Sequence, residues 1–597
     1  MRLEWPGPNP GKWEMLAKPG GAASRKEEFA KGALKTIVRL ALKPSIEAEI
    51  DMETLMKKQR YILTGTFLLS VMCSVPALAQ DYDLVINNGR VMDPETLYDD
   101  IANVGIKDGR IAAITKDALT GAETVDATGH IVAPGFIDTH FHWQTPIGYR
   151  VGLRDGLTSG MDFEAGCAGS YVAAWYEARA GVTQANYGCA VSHELARAMV
   201  LDGSTGDFLI NGPIAALETR KKSGWSVTRP TLEQGNAILE EIDKGLQAGA
   251  PGIGSTVGYM REGVSSREMF EVQKVGARYG RPTGAHTRYT LGTDTTENNG
   301  AQELIANALA LGAPAIVLHF NNPGWRLAQQ MIVGLQEQGH NIWGEIYPYA
   351  AGSTTLNASF LQPESWVEQL GNRYEDTVQD PVTGDFYTLE TFKTDMAANP
   401  TKPIVVFKMP EEDAPKWLTL KGVTVASDAL PPEPLFGPWD IPLDQLGNTH
   451  PRAAGTRGIT IRLGRENNIP MMQLISILSY NAAKHLGDTG LKAMQERGRI
   501  QTGMVADIVV FDPERFTDNS TYDKGAVPST GMKAVIVNGQ VTLRDDKVLP
   551  VFAGQPIRFD PEDKPRFVPV SVEAWNAEFS TGMPSDFTGA FPANGGN

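Results

Sequence analysis

Residues 133–142, A-P-G-F-I-D-T-H-F-H, decide how the rest of this 597-residue chain is read. Pro134-Gly135 marks an entry turn and Phe136-Ile137 a short buried run, so the segment is predicted to be a strand. Strand side chains alternate with a period of two, which puts His140 and His142 on one face, where both reach one metal ion. Two histidines at that spacing are a weak signal, because such pairs are often merely hydrogen-bonded. Three more residues give them company: His286 in T-G-A-H-T, His319 in A-I-V-L-H-F and Asp428 in V-T-V-A-S-D each close a short apolar or small-residue run. Ligands or proton carriers at strand ends, spaced by segments long enough for helices, are the distribution expected at the C-terminal face of a (β/α)8 barrel.

Outward from that stretch, the α/β alternation predicts a TIM barrel over about 135–490, with helices at 231–248, 266–279, 299–311 and 326–338. Before it, in 81–134, the β-branched segments 82–86, 104–106, 110–114 and 123–126 are separated by Asn-Gly, Asp-Gly and Thr-Gly pairs that read as turns. Segments 507–511, 533–537 and 540–543, within 491–550, repeat that grammar beyond the barrel. A single small β-sandwich built from both chain ends is the economical arrangement. Residues 356–420, charged and loop-rich, interrupt the barrel between the strand near Tyr347 and the one ending at Asp428, and are expected to form a lid over its mouth. A Pro- and Gly-rich tail occupies 551–597, with no role legible in its composition.

The formal net charge is -16, and no Lys/Arg block relieves it, which argues against a nucleic-acid partner. Residues 56–79 run from M-K-K-Q-R through an apolar stretch to P-A-L-A, the three regions of a secretory signal cut after Ala79. The apolar run is short for a membrane span, so export to the periplasm is expected, without a stable anchor; an internal signal anchor is the alternative. Residues 1–55 then read as a misassigned start or a disordered extension. Cys73 falls within the signal. Cys167 and Cys189 remain, and two cysteines in a large domain are expected to be unpaired buried thiols, although an exported compartment permits a disulfide.

Several segments together resemble the metal-dependent amidohydrolases, and within them the N-acyl-D-amino-acid deacylases, or D-aminoacylases, including the D-glutamate deacylases. They are P-G-F-I-D-T-H-F-H (134–142), D-G-L-T-S-G-M-D-F-E-A-G (155–166), Y-P-Y-A-A-G-S-T (347–354), H-P-R-A-A-G-T (450–456) and G-R-I-Q-T-G-M-V-A-D-I-V-V-F-D (498–512). The first and last are widespread among amidohydrolases; the Y-P-Y and H-P-R segments narrow the resemblance.

The resemblance implies Zn2+, one ion or two, with His286 and His319 on the fifth and sixth barrel strands at one position and His140 and His142 at the other. Neutral imidazole and carboxylate suit zinc, and a catalytic zinc keeps a position open for water. Asp428 would act as general base and then protonate the leaving nitrogen. For the bridge between metal positions, this chain departs from the cysteine of the better-known relatives, whose place falls on Ala165. Glu164, one residue earlier, resembles the glutamate form of the D-glutamate deacylases, and Cys167 is the alternative. No lysine occurs in the fourth-strand candidate 252–259, which disfavours a carbamylated-lysine bridge. A free α-carboxylate on the small-molecule substrate calls for an arginine: Arg452 first, Arg288 second, with Tyr347 and Ser353 adding hydrogen bonds. Asn321, where those relatives carry a lysine, is expected at the substrate pocket as well, which alters the specificity that the resemblance implies. His130, His193, His340, His450 and His485 are read as structural. Alternatives to deacylation of N-acyl-D-amino acids are hydrolysis of another amide, lactone or small peptide, or a non-catalytic metal-binding scaffold; oligomeric state is not legible.

Overall fold

Short runs of buried Val, Ile and Leu build the first sheet of the computed structural model, which describes residues 81–288 and 300–576. The expected signal at 56–79, residues 1–55 with it, and the end of the tail from 577 lie outside the described residues. β1 (Tyr82–Asp93), β2 (Tyr98–Lys107) and β3 (Arg110–Thr115) are antiparallel neighbours, while β4 (Gly121–Asp126) and β5 (Ile131–Pro134) run parallel to β1. Asp108 and Gly109 turn β2 into β3 at φ of 51° and 74°, the backbone of a two-residue hairpin that follows strand twist. Asn88-Gly89, expected as a turn, is instead an irregularity inside β1, where the register with β2 shifts between Ile86 and Gly89. The strand carries on because β5 packs against it there: a Cβ on Gly89 would lie 2.3 Å from Val132 Cγ2.

Seven strands of the barrel follow in order: β6 (Phe136–Asp138), β7 (Leu157–Cys167), β8 (Asn186–Ser192), β9 (Ile253–Ser255), β10 (Thr283–Ala285), β11 (Ala315–Val317) and β12 (Ile342–Ile346). Each pairs in parallel with the next. The chain then leaves the barrel for an insertion in which β13 (Ala351–Thr355), β14 (Val378–Gln379) and β15 (Pro403–Phe407) make a small antiparallel sheet. The insertion is more than loops, since Leu356, Leu361, Trp366, Tyr374, Phe392 and Ile404 give it a core of its own. It returns as β16 (Val423–Val425), parallel to β12. The first and last barrel strands meet beyond their ends, where Asp428 N donates to His140 O (2.8 Å) and Ser427 N to Asp138 Oδ1 (3.1 Å).

The crossovers are amphipathic helices with defined starts. Helix Leu232–Gln247 opens on a capping box between Thr231 and Gln234 and buries Ile238, Leu239, Ile242 and Leu246. Ser265 caps Ser266–Arg278 through its side chain, an arrangement worth about 1 kcal/mol. Gly300–Leu311 and Trp325–Glu337 complete the four expected in this region.

β17 (Ile508–Phe511) then pairs antiparallel with β5, and β18 (Met532–Val537), β19 (Gln540–Arg544) and β20 (Lys547–Val548) extend the sheet outward. Both ends of the chain therefore share one nine-stranded sheet among the described residues. It curls until Gly109 meets Gly539 and until Leu84, Ile86 and Val104 pack with Val510, Ala534 and Ile536. Joining the halves gives β5 and β17 partners that each half alone would lack. The described part of the tail packs against the barrel, with Gly554, Ile557 and Phe559 donating backbone bonds to Thr183, Tyr187 and Gly249.

Cys167 of β7 and Cys189 of β8 form a disulfide, S–S 2.16 Å, which corrects the expectation of unpaired thiols. The cause is register: a shift between Asp162 and Cys167 in the β7–β8 pairing carries Cys167 into reach of Cys189. No helix among the described residues is long and apolar enough to cross a membrane.

Candidate metal centre and active site

Four histidines and two carboxylates converge where the barrel strands end. His140 and His142 follow β6, Glu164 lies within β7, His286 follows β10, His319 follows β11 and Asp428 follows β16. Glu164 stands in the middle. Its Oε1 is 3.1 Å from His286 Nδ1, while Oε2 contacts His140 Nε2 and lies 3.7 Å from both His142 Nε2 and His319 Nε2. The two Nε2 atoms of His140 and His142 are 3.1 Å apart, and Asp428 Oδ1 sits 3.2 Å from the second. The ligand atoms form two groups, each spanning no more than 4.8 Å: His140, His142, Glu164 and Asp428 in one, Glu164, His286 and His319 in the other. Glu164 belongs to both, whereas Cys167, the alternative bridge, is consumed by its disulfide.

Donor chemistry and charge both fit zinc. Imidazole and carboxylate are its ordinary ligands alongside thiolate. His286 Nε2 and His319 Nδ1 are buried without a hydrogen-bond partner, a costly state for a polar atom. Burial opposes charge on His140 and His142, yet Asp428, Glu345 and Glu164 raise the first, and Asp162 chiefly the second, well above the ordinary imidazole value. Burial likewise opposes charge on Glu164, and His140 outweighs it and holds the carboxyl well below its usual range. A buried surplus of carboxylate that pulls protons onto neighbouring histidines is an environment that a divalent cation neutralises. On His319 burial prevails and lowers the imidazole to about 4, which leaves it neutral. His319 and Asp428 also adopt positive φ, 30° and 51°, conformations that cost free energy in residues with a Cβ and tend to cluster at functional sites.

An outer layer of carboxylates aims the inner one. Glu345 in β12 holds His140 Nδ1 at 2.6 Å with Oε1 and accepts from Thr139 Oγ1 (2.7 Å) with Oε2. Asp162 in β7 holds His142 Nδ1 at 2.5 Å and accepts from the backbone of Glu164 (2.9 Å) and Gly166 (3.1 Å), so one side chain orients a histidine and shapes the turn around Glu164. Asp138 accepts from His140 N and Ser427 Oγ, and from Arg457. Sequence reading missed all three. The available signal was an acid inside an otherwise apolar strand, as in I-W-G-E-I and G-M-D-F-E-A.

Beside the cluster opens a cavity whose described lining includes Arg452, Tyr347 and Ser353 from the expected substrate residues. Arg452 pairs with Asp428 Oδ1 at 2.9 Å, while its Nε and one terminal nitrogen are buried without partners. Ser353 spends its hydroxyl on Ile404 O (2.8 Å). Two expectations are corrected. Arg288 turns away, pairing with Glu303 at 2.7 Å and donating to Val264 O and Arg261 O; β10 ends at Ala285, so alternation no longer governs its direction. Asn321 donates to Tyr347 O at 2.8 Å and props that residue from behind. Arg220, Tyr259, Phe360 and Lys408 line the cavity without having been anticipated. Arg220 is bound by Glu194 at 2.7 Å and stacks 4.6 Å from the Tyr259 ring centre. His193, His450 and His485 are occupied by Glu268, Ala351 O and Asn341 Oδ1, and His130 by Thr128 O.

No protein-family model matches the chain. An N-acyl-D-glutamate deacylase of Alcaligenes xylosoxydans xylosoxydans is 26% identical over 497 residues, covering 77% of this chain and 94% of the relative. A D-aminoacylase of the same organism is 23% identical over 526 residues, covering 80% and 97%. Among solved structures, the N-acyl-D-glutamate deacylase of Bordetella bronchiseptica, complexed with zinc and a phosphonate inhibitor, superposes with a TM-score of 0.64 at 23% identity, covering 80% of this chain and 99% of that one. The barrel, the paired histidines after β6 and a similarity that spans about four fifths of the chain agree: the chain is similar to the N-acyl-D-glutamate deacylases and D-aminoacylases, whose names and fold support the resemblance to N-acyl-D-amino-acid deacylases.

Proposed function

We propose that the chain is a zinc-dependent hydrolase of linear amide bonds that deacylates N-acyl-D-amino acids. The observation that carries the reading is the placement of Glu164 between His140, His142 and Asp428 on one side and His286 and His319 on the other. Those six residues would hold one or two zinc ions. When bound, zinc supplies a Lewis acid that polarises an amide carbonyl and acidifies water.

The remaining work falls to side chains of this protein. Burial opposes charge on Asp428, but Arg452 and His140 outweigh it and keep its carboxyl well below the usual carboxylate range. It is thus ready to accept a proton from the water that adds to the acyl carbon and to return it to nitrogen as the C–N bond breaks. The return matters because an amide nitrogen leaves poorly as an anion. The products are a carboxylic acid and a free amino acid. Arg452 lines the cavity and retains N–H groups without a hydrogen-bond partner, a donor set suited to a substrate carboxylate. Ile214, Leu217, Phe360 and Leu430 supply apolar walls for the acyl chain or side chain. The preference for D substrates is supported by the names of the two relatives. The signal-like composition of 56–79 supports action in the periplasm.

The test is release of free amino acid by the zinc-loaded protein from paired D and L N-acetyl amino acids, glutamate included. Release is expected from D forms alone, and Asp428→Asn should lower it about 100- to 10,000-fold while zinc stays bound. Equal release from D and L forms would remove the stereochemical part of the reading. Zinc content near zero in protein never exposed to chelator would remove the whole of it.

A further inference from the structure

Most cations that line the cavity already have an acidic partner. Arg220 is matched by Glu194 and Arg452 by Asp428. Lys408 is different. It follows β15 in the insertion, lines the cavity and makes no ion pair among the described residues. Its ammonium lies 5.9 Å from the centre of the Tyr347 ring, and the Arg452 guanidinium lies 4.8 Å from the same ring. The two cations therefore flank one tyrosine. Room for this is kept by Gly352, where a Cβ would stand 3.0 Å from the Tyr347 hydroxyl and 3.3 Å from Lys408 Nζ. Burial, helped by Arg452, pulls the lysine down to about 8, as expected of a desolvated ammonium beside a like charge.

A half-buried lysine next to an arginine is unfavourable unless an anion joins them. Asp428 is already held by Arg452 and the histidines, and Glu164 by the metal-ligand cluster. Among the described residues no carboxylate pairs with Lys408, which leaves a place for an anion that enters the cavity. We propose that Lys408 is a specificity-determining residue: together with Arg452 it receives the carboxylate of the substrate above Tyr347, so the insertion, and not the barrel alone, decides that the acylated amine must carry a free acid. This rests on the amidase reading for the identity of the substrate. It predicts that the cavity refuses neutral carboxamide analogues of the same acyl amino acids, because an uncharged group leaves Lys408 without an anion beside Arg452.

The test uses the zinc-loaded protein, Lys408→Met and Lys408→Arg, with N-acetyl-D-amino acids and their α-carboxamides. Loss of a charge-assisted bond predicts that Lys408→Met raises KM for the acid about 10- to 100-fold, leaves kcat within severalfold, and narrows the preference for acid over carboxamide. Lys408→Arg should restore most of that preference, which a variant that merely misfolds would not allow. A second readout is independent of turnover: reductive methylation followed by peptide mass spectrometry should show Lys408 protected by the N-acetyl amino acid and unprotected by its carboxamide. Protection without any hydrolysis would retire the deacylase reading and leave this assignment standing. Hydrolysis with an unchanged acid-to-carboxamide ratio in Lys408→Met, or no differential protection, would overturn the assignment.

Discussion

Glu345 and Lys408 both sit outside the set of ligand residues, and both owe their importance to a neighbour. The Glu345 carboxylate holds His140 Nδ1 at 2.6 Å, which fixes the ring so that Nε2 faces Glu164 and His142. Carboxylates in this position raise the basicity of a ligand histidine and restrain its rotation. Glu345→Gln keeps the shape and removes the charge, so zinc affinity is expected to fall about 10- to 100-fold, read by competition with a chromophoric chelator. Unchanged affinity would mean that Thr139 and packing alone orient His140. Asp162 serves His142 in the same manner, with the added task of holding the backbone of Glu164.

At the level of the element, β7 is the unusual strand. It runs through eleven buried residues, Leu157–Cys167, and delivers Glu164 into the barrel interior. Two glycines, on β9 and β10, permit this: a Cβ on Gly254 would lie 2.4 Å from Glu164 O, and one on Gly284 would lie 2.5 Å from Phe163 O. Gly254→Ala must therefore push β7 aside. A destabilisation of about 1–3 kcal/mol is expected from such overpacking, together with weaker zinc binding, whereas unaltered metal content would show that β7 gives way without moving Glu164. The end of the same strand is tied to β8 by Cys167–Cys189, which closes a loop of 22 residues. Replacing both cysteines by alanine is expected to cost about 2–4 kcal/mol in denaturant unfolding and to leave zinc stoichiometry as it was. A fall in zinc would reinstate Cys167 as a ligand.

Over the whole molecule, the site also serves as a clasp. Its ligands come from the ends of β6, β7, β10, β11 and β16, so both the first and the last strand of the barrel contribute. Without a cation, Glu164 and Asp428 stand close among buried histidines with only Arg452 and imidazolium charge to offset them. Zinc binds the folded barrel and not the dispersed ligands of the unfolded chain, so chelation should lower the thermal midpoint and added zinc should restore it. At free zinc about 1,000-fold above Kd the difference amounts to about 4 kcal/mol. A midpoint indifferent to chelator would place the stability of the barrel in its backbone closure, Asp428 N to His140 O, and in its hydrophobic core alone.

Sequence by itself determined the class of fold and the kinds of atoms at its centre. Strands and helices have different periods, so their alternation is visible in a single chain, and His140, His142, Glu164, His286, His319 and Asp428 stand at or near strand ends whatever their final distances. Glu164 was preferred to Cys167 from ligand chemistry and family resemblance, before any distance was known. Tertiary structure alone decided the pairings. That Cys167 meets Cys189 depends on a register shift, and that Arg288 faces Glu303 depends on where β10 stops. Glu345 reaches His140 across 205 positions, and Lys408 reaches the Tyr347 ring from an insertion whose course the chain does not announce. Local propensity acts over a few residues, whereas a site at a barrel mouth is assembled from residues hundreds of positions apart. Which acid orients which histidine is settled only when the strands have closed.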